Sequence, residues 1–276
     1  MVARVRDLPV ISLPALRLLT PLSDPQTGIE DVVQIIKQDA ALTAKLLRVC
    51  NSPCLALEEP VASVNQAVLF LGQKRVYNIV MAMSLRDALD VPLSGYAMKA
   101  SDLWRHSLLA ATAAELAINQ DVGISIDSST GFTIGLLHDI GKLITNQFLT
   151  GQSSVTVRSL ISRGQLPIEA EKNVLGTDHA EVGAALAYVW RLPDFLVEAI
   201  ALHHTPPVAS CASTLAYFAD KAAHEADRFE QAREGSVREA ELKIFRAMGF
   251  SLDSMQSLVG EVLDASAATE ECVAVA

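Results

Sequence analysis

The chain has 276 residues, half of them hydrophobic but only 5% aromatic, with a formal net charge of −10 and a sequence pI near 5.1. Ala and Leu dominate, a composition of packed helices rather than of strands rich in β-branched and aromatic residues. The acidic balance and the lack of any Lys/Arg-rich run exclude an electrostatic grip on nucleic acid or on an anionic lipid surface.

The N-terminal third reads as short helices between punctuated turns. Asp24-Pro25 and Gly28 mark a turn, after which Ile29, Val32, Val33, Ile35 and Ile36 recur at helical spacing. Leu42, Leu46, Leu47 and Val49 share a face in DAALTAKLLRVCNS, and Asn51-Ser52-Pro53 stops that helix. Ser63 is placed to cap a helix over VNQAVLFLG that Gly72 closes, and residues 73–89 predict a further amphipathic helix. The polar stretch from Asp90 to Met98, with Pro92 and Gly95, is read as the boundary of an N-terminal helical part, residues 1–92. A helical bundle is expected over residues 93–228, followed by C-terminal helices and a frayed tail over 229–276.

Within the bundle, the pattern predicts a long helix from about residue 99 to 119, a loop over 120–131, and a helix carrying GLLHDIGKL. Residues 151–166 read as a polar, mobile loop. Three more helices follow in DHAEVGAALAYVWRL, PDFLVEAIALHH and STLAYFADKAAHEADRF, with Pro193 at a helix start. Helical segments resume after Val237, and the end, ASAATEECVAVA, is expected to fray. The predicted fold class is all-α.

Cys50, Cys54, Cys211 and Cys272 have neither CxxC nor zinc-ribbon spacing and are expected to be reduced thiols. No stretch of about 18 uncharged apolar residues occurs, and MVARVRDLPV lacks the apolar segment of a signal peptide. A soluble, cytoplasmic location is the expectation.

The polar residues inside the helices carry the chemistry. Of the six histidines, five (His106, His138, His179, His203 and His204) sit in or at the ends of apolar helical segments. Asp102 and His106 are four residues apart, as are His138 and Lys142, with Asp139 between the latter two. Asp178 precedes His179, and Asp220 follows an apolar run in LAYFADKA. Singly, each such histidine is more often a hydrogen-bonded core residue than a ligand. Together they are harder to dismiss, because buried charge is costly unless it is paired or bound to metal. Imidazole mixed with carboxylate suits Fe, Mn, Zn or Ni better than Ca or Mg.

Several stretches in order resemble a known family. WRHSLLAATAAELA, FTIGLLHDIGKLI, VLGTDHAEVGAALAYVWRLPDFLVEAIALHH and YFAD look like successive motifs of the HD superfamily, and in detail of its HDOD (HD-related output) branch. LPALRLL, IIKQDAALTAKLLRVCNSP and SVNQAVLFLGQKRVYNIVMAMSL are similar to that family's N-terminal region. The resemblance covers roughly residues 8–205 closely and extends loosely to Asp220. It implies an HD-like helical bundle joined to an N-terminal helical subdomain. It also implies a mono- or dinuclear site for a divalent metal (Fe, Mn, Ni or Zn) as the cofactor. Its ligands would be His106, His138, Asp139, His179, His203, His204 and Asp220, with Asp102 one turn before the first histidine. Asp139 would bridge two metals, and Lys142 would polarise a phosphate; these two are the catalytic candidates if the protein is an enzyme.

The departure from the catalytic relatives lies after His204. The phosphodiesterases called HD-GYP carry a Glu-containing segment ending in Gly-Tyr-Pro there, whereas this chain reads HHTPPVASCAST. HDOD proteins resemble non-catalytic signalling modules, and the favoured expectation is a bacterial signal-transduction output domain. Its partner would be a signalling protein or a small nucleotide, with no role for nucleic acid or membrane. The alternative is a metal-dependent phosphohydrolase acting on a nucleotide or cyclic dinucleotide.

Overall fold

The computed structural model describes residues 13–19, 29–57, 59–120, 125–207, 210–230 and 250–276. The predicted turn at Asp24-Pro25 and Gly28, and the chain from Val237 to Gly249, lie outside these residues. The described residues form helices, with one isolated bridge between Leu93 and Met98.

Five helices make the N-terminal part: α1 (Leu13–Leu19), α2 (Ile29–Gln38), α3 (Ala40–Cys50), α4 (Val64–Leu71) and α5 (Gln73–Leu89). Their limits follow from local chemistry. Asp39 caps α3 by accepting from the Leu42 N–H at 2.8 Å, and Ser63 caps α4 through Gln66 N–H at 3.2 Å. Gly72, at φ +78°, turns the chain from α4 into α5.

The bundle comprises α6 (Asp102–Asn119), α7 (Ser128–Leu137), α8 (Lys142–Thr145), α9 (Gln152–Ser162), α10 (Pro167–Leu175), α11 (His179–Val189), α12 (Asp194–Leu202) and α13 (Cys211–Glu230). The last helix is α14 (Leu252–Ala274). Helix α6 is the hub: it packs on α5, α7, α13 and α14, and its Trp104, Leu103 and alanines are buried. One apolar core runs from Leu18 through Trp104, Phe132 and Phe218 to Val273. A smaller cluster of Leu149, Val157 and Ala170 ties α9 to α10.

Four expectations are corrected. The stretch 151–166 is mostly helix α9, because Val157 and its neighbours find the small cluster to bury against. The loop predicted to reach residue 131 ends earlier, since Asp127 caps α7 at Ser129 and Thr130 N–H. The C-terminal stretch does not fray: α14 continues to Ala274, with Cys272 and Val273 buried. Finally, Cys54 is joined to Cys272, with Cα atoms 5.7 Å apart, while Cys50 and Cys211 are free. Spacing could not show that pair, because 218 residues separate two positions that only the packing of α14 brings together.

Candidate metal centre

The segment GLLHDIGKL does not form one helix. Helix α7 ends at Leu137, and His138 to Gly141 form tight turns in which Ile140 N–H bonds Leu137 O and Lys142 N–H bonds Asp139 O, both at 3.0 Å. Both His138 and Asp139 are buried at this break. Two glycines set its distance from neighbouring elements. A Cβ on Gly135 would lie 2.5 Å from the Ala110 backbone, so Gly135 permits α7 to press against α6 and seats His138 beside His106. A Cβ on Gly141 would lie 1.9 Å from His179 O, so Gly141 permits the close approach of α8 to the start of α11.

Around Asp139 the side chains sort into two sets. Its Oδ1 lies 3.3 Å from His179 Nε2 and 3.6 Å from His203 Nε2, and His204 completes this set through His179, Nε2 to Nε2 at 2.9 Å. Its Oδ2 lies 3.5 Å from both His106 Nε2 and His138 Nε2, which are 3.2 Å from one another. Asp220 Oδ1 joins that second set at 3.3 Å from His106 Nε2 and 3.7 Å from His138 Nε2. His138, His179 and His203 are fully buried, and Asp139 and Asp220 are 1% exposed.

The histidines are oriented from behind. His138 Nδ1 lies 2.7 Å from Gly135 O, and His203 Nδ1 lies 2.7 Å from Ile200 O, so each donates there and aims a bare Nε2 inward. His179 Nδ1 lies 2.8 Å from Glu171 Oε2, and the same carboxylate accepts the His179 backbone N–H at 2.7 Å. A carboxylate or carbonyl holding the far nitrogen is how metal-binding histidines are oriented.

Electrostatics agrees with a site built for positive charge. Burial alone would raise the Asp139 carboxyl, but Lys142, His138 and the adjacent His179 and His203 imidazoles hold it well below the usual range. Burial likewise opposes the charged form of Asp220, but His224, His106 and His138 hold it low. Burial lowers His106 to about 4, against the pull of Asp220 and Asp139, and burial also lowers His203 and His204. His179 goes the other way: burial is outweighed by Glu171 and Asp139, and it is pushed up to about 9.

Does this donor set fit a metal? Asp139 Oδ1 and His203 Nε2 are buried and have no hydrogen-bond partner. A buried polar atom without a partner costs about 1–3 kcal/mol, and a divalent cation would satisfy both at once. The ligand atoms of Asp139, His179, His203 and His204 lie within 4.8 Å of one another, as do those of His106, His138 and Asp220. Five imidazoles and two carboxylates suit Fe, Mn, Ni or Zn. The residues fit.

Seven of the sequence candidates therefore converge: His106, His138, Asp139, His179, His203, His204 and Asp220. Lys142 reaches Asp139 Oδ2 as an ion pair and is 15% exposed in its side chain, at the edge of the site. Asp102 does not join them, which corrects its reading as a ligand. Its Oδ2 accepts the Lys99 N–H at 2.6 Å, and Asp102 is exposed at the start of α6. Sequence reasoning missed Glu171, Lys221 and His224. Lys221 Nζ lies 2.8 Å from Asp220 Oδ2, and His224 Nδ1 lies 3.1 Å from Asp220 Oδ1. The i,i+4 spacing of Asp220 and His224 was a legible signal. Glu171 had none, because it sits on another helix, eight residues before its partner.

The family model of the HDOD domain matches residues 8–206. An uncharacterised protein of Treponema pallidum (strain Nichols) is 26% identical over 220 residues, 75% of this chain but 39% of that protein. The chain thus spans about two fifths of that relative's length. Among solved structures, an HDOD domain protein of unknown function from Geobacter sulfurreducens is 27% identical, with a TM-score of 0.73 covering 98% of this chain and 95% of that one. A candidate phosphohydrolase from Shewanella amazonensis SB2B shares the fold at 22% identity, with a TM-score of 0.71 covering 99% and 97%.

Proposed function

The chain belongs to the HDOD domain family, and from the geometry of its centre we propose that it is a metal-dependent phosphohydrolase acting on a small phosphate ester. The observation that carries the reading is Asp139, whose two oxygens face two separate histidine sets in a nearly closed interior. Ions held by His106, His138, Asp139 and Asp220, and by Asp139, His179, His203 and His204, would supply Lewis-acid stabilisation of phosphate charge.

The chain's own groups supply the rest. Lys142, Lys221 and His224 line the partly exposed edge of the site and give an incoming phosphate a cationic reception. Lys142 is held charged: burial opposes the charge, but Asp139 outweighs it. It would bind a phosphate oxygen as a point charge. The His224 ring is half exposed beside Asp220, which orients it to pass a proton to a leaving oxygen.

A second reading, a non-catalytic signalling module, draws on a different observation. Pro206 and Pro207 follow the paired histidines where catalytic relatives carry a substrate-shaping segment, and the centre is buried rather than open. One experiment separates the two. The protein is purified without chelator, its Fe, Mn, Ni and Zn are measured, and turnover is followed on a generic phosphodiester, nucleotides and cyclic dinucleotides. Turnover that disappears in His138→Ala and Asp139→Ala supports the hydrolase. Full metal occupancy with no turnover on any of these overturns it in favour of the signalling module.

A further inference from the structure

Helix α14 is gripped near its two ends and loosely in between. Leu258, Val259 and Val262 anchor its first half, and Cys272 and Val273 its last turn. The stretch between them, from Leu263 to Glu271, reads LDASAATEE, and within it Ser266 alone is buried. Side chains so small or so polar bring little apolar area to hold a helix down. Cavities flank this stretch on two sides. One of about 540 Å³ lies between Ala268 and Thr269 and the α5 residue Ile79, and one of about 350 Å³ between Ser266 and Ala267 and the α6 residue Leu109.

The end of the helix is therefore held chiefly by the Cys54–Cys272 bond, which closes a span of 218 residues. A bond across so long a loop removes much freedom from the open chain, and that constraint goes when it is cut. Cys54 follows α3 and is partly exposed, and Cys272 lines the larger cavity, so the bond is not sealed in the core. Two hydrogen bonds assist it: Arg48 Nη1 donates to Ala276 O at 3.0 Å and Arg86 Nη1 to Val273 O at 3.1 Å. Arg48 is exposed and Arg86 partly so, and water competes for both bonds. Burial pushes the Cys50 thiol up to about 11, so it offers no thiolate near neutral pH to shuffle the pair.

We infer that the Cys54–Cys272 bond is a redox latch, which docks residues 264–274 of α14 when oxidised and releases them when a dithiol reduces it. A thiolate of the dithiol attacks Cys54 Sγ, the S–S bond breaks, and Cys272 leaves as a thiolate that takes up a proton. The second thiol of the reagent then attacks the mixed disulfide and frees Cys54. The dithiol ends as a disulfide, and the protein gains two electrons and two protons. The faces uncovered belong to α5 and α6, and no candidate metal ligand lines either cavity, so the latch stands or falls apart from the hydrolase reading.

The test is amide hydrogen exchange, followed by mass spectrometry, on the full chain before and after treatment with dithiothreitol. Thiol labelling after denaturation should count two thiols in the air-oxidised protein, Cys50 and Cys211, and four after reduction. Exchange over residues 264–274 should speed by about ten-fold or more on reduction, while residues 258–262 and α13 keep their rates. Cys54→Ser should exchange at the reduced rate with or without dithiothreitol. Cys211→Ser, at an exposed free cysteine, should respond as the wild-type chain does. Should Cys54→Ser fail to fold, reduction of the wild-type chain still decides. Four thiols in the air-oxidised protein, or exchange over 264–274 that reduction leaves unchanged, would overturn the latch. Unfolding of the whole chain on reduction would overturn it too, by making the bond a structural staple.

Discussion

His179 Nδ1 sits 2.8 Å from Glu171 Oε2, and both side chains are fully buried. This pair fixes which nitrogen of His179 faces Asp139, so the carboxylate on α10 sets the basicity of a candidate ligand on α11. Glu171→Gln keeps the shape and removes the charge. Loss of such a supporting partner costs about 10–100-fold in metal affinity. The expected outcome is that drop in a competition titration against a chromophoric chelator, with the metal-binding set around His106 and His138 retained.

The stability of the metal-free protein should peak near pH 6.5 to 7, for reasons of opposite sign. His106, lowered to about 4 by burial, stays neutral when folded while the unfolded chain takes up a proton below about 6.5; its contribution is lost as pH falls from 6.5 toward 4. His179, raised to about 9, is charged when folded over a range where the unfolded chain is neutral. Its contribution is complete below about 6.5 and is lost as pH rises toward 9. Thermal unfolding of chelator-treated protein across pH 4 to 10 should show both limbs, and Glu171→Gln should flatten the alkaline one. A melting temperature that climbs steadily from pH 7 to 9 would contradict the assignment.

Metal affinity should rise over the alkaline range in which the metal-free fold weakens. A ligand must shed its proton to bind, and His179 holds its proton to about 9. Titrations at pH 7 and pH 8.5 should give the tighter binding at the higher value, together with proton release.

Gly141→Ala should be strongly destabilising. The new Cβ would lie 1.9 Å from His179 O and 2.6 Å from Gly183 N, and backbone cannot swing aside as a side chain can. Overpacking of this kind costs about 1–3 kcal/mol or more, and each kcal/mol lowers the melting temperature of a chain this size by roughly 2–4 °C. Gly260→Ala is the control. It lies inside α14 with nothing within 4 Å of the added carbon, and should raise stability by about 0.5–1 kcal/mol. Thermal or denaturant unfolding checks both.

Asp102→Ala should leave the metal content at the wild-type value. Its cost is the lost bond to Lys99 N–H and a first-turn charge on α6, together about 1 kcal/mol. His106→Ala, one turn on, should lower the metal content measured by elemental analysis.

Much of the helix pattern was legible because local chemistry decides it. Ser63 caps α4 by accepting from the N–H three residues on, as its place before an apolar run indicates, and that chemistry is written in neighbouring letters. Helix α9 was not legible, because a polar stretch becomes a helix only when Leu149 and Ala170 offer Val157 something to bury against. The same holds for the Cys54–Cys272 pair and the ordered end of α14.

By itself the sequence determined the all-helical composition and, through the resemblance of its motifs to the HDOD family, the seven candidate ligands that converge and the altered segment after His204. Those follow from residue type and motif order, which do not depend on how elements meet. Only the tertiary structure decided the rest: that Asp139 divides its two oxygens between two histidine sets, that Glu171 stands behind His179, and that Asp102 faces solvent. Each of these depends on a close approach between separate helices, set by Gly135 against α6 and Gly141 against α11. Distance between elements is a property of packing, and packing is settled by the whole core rather than by any one segment.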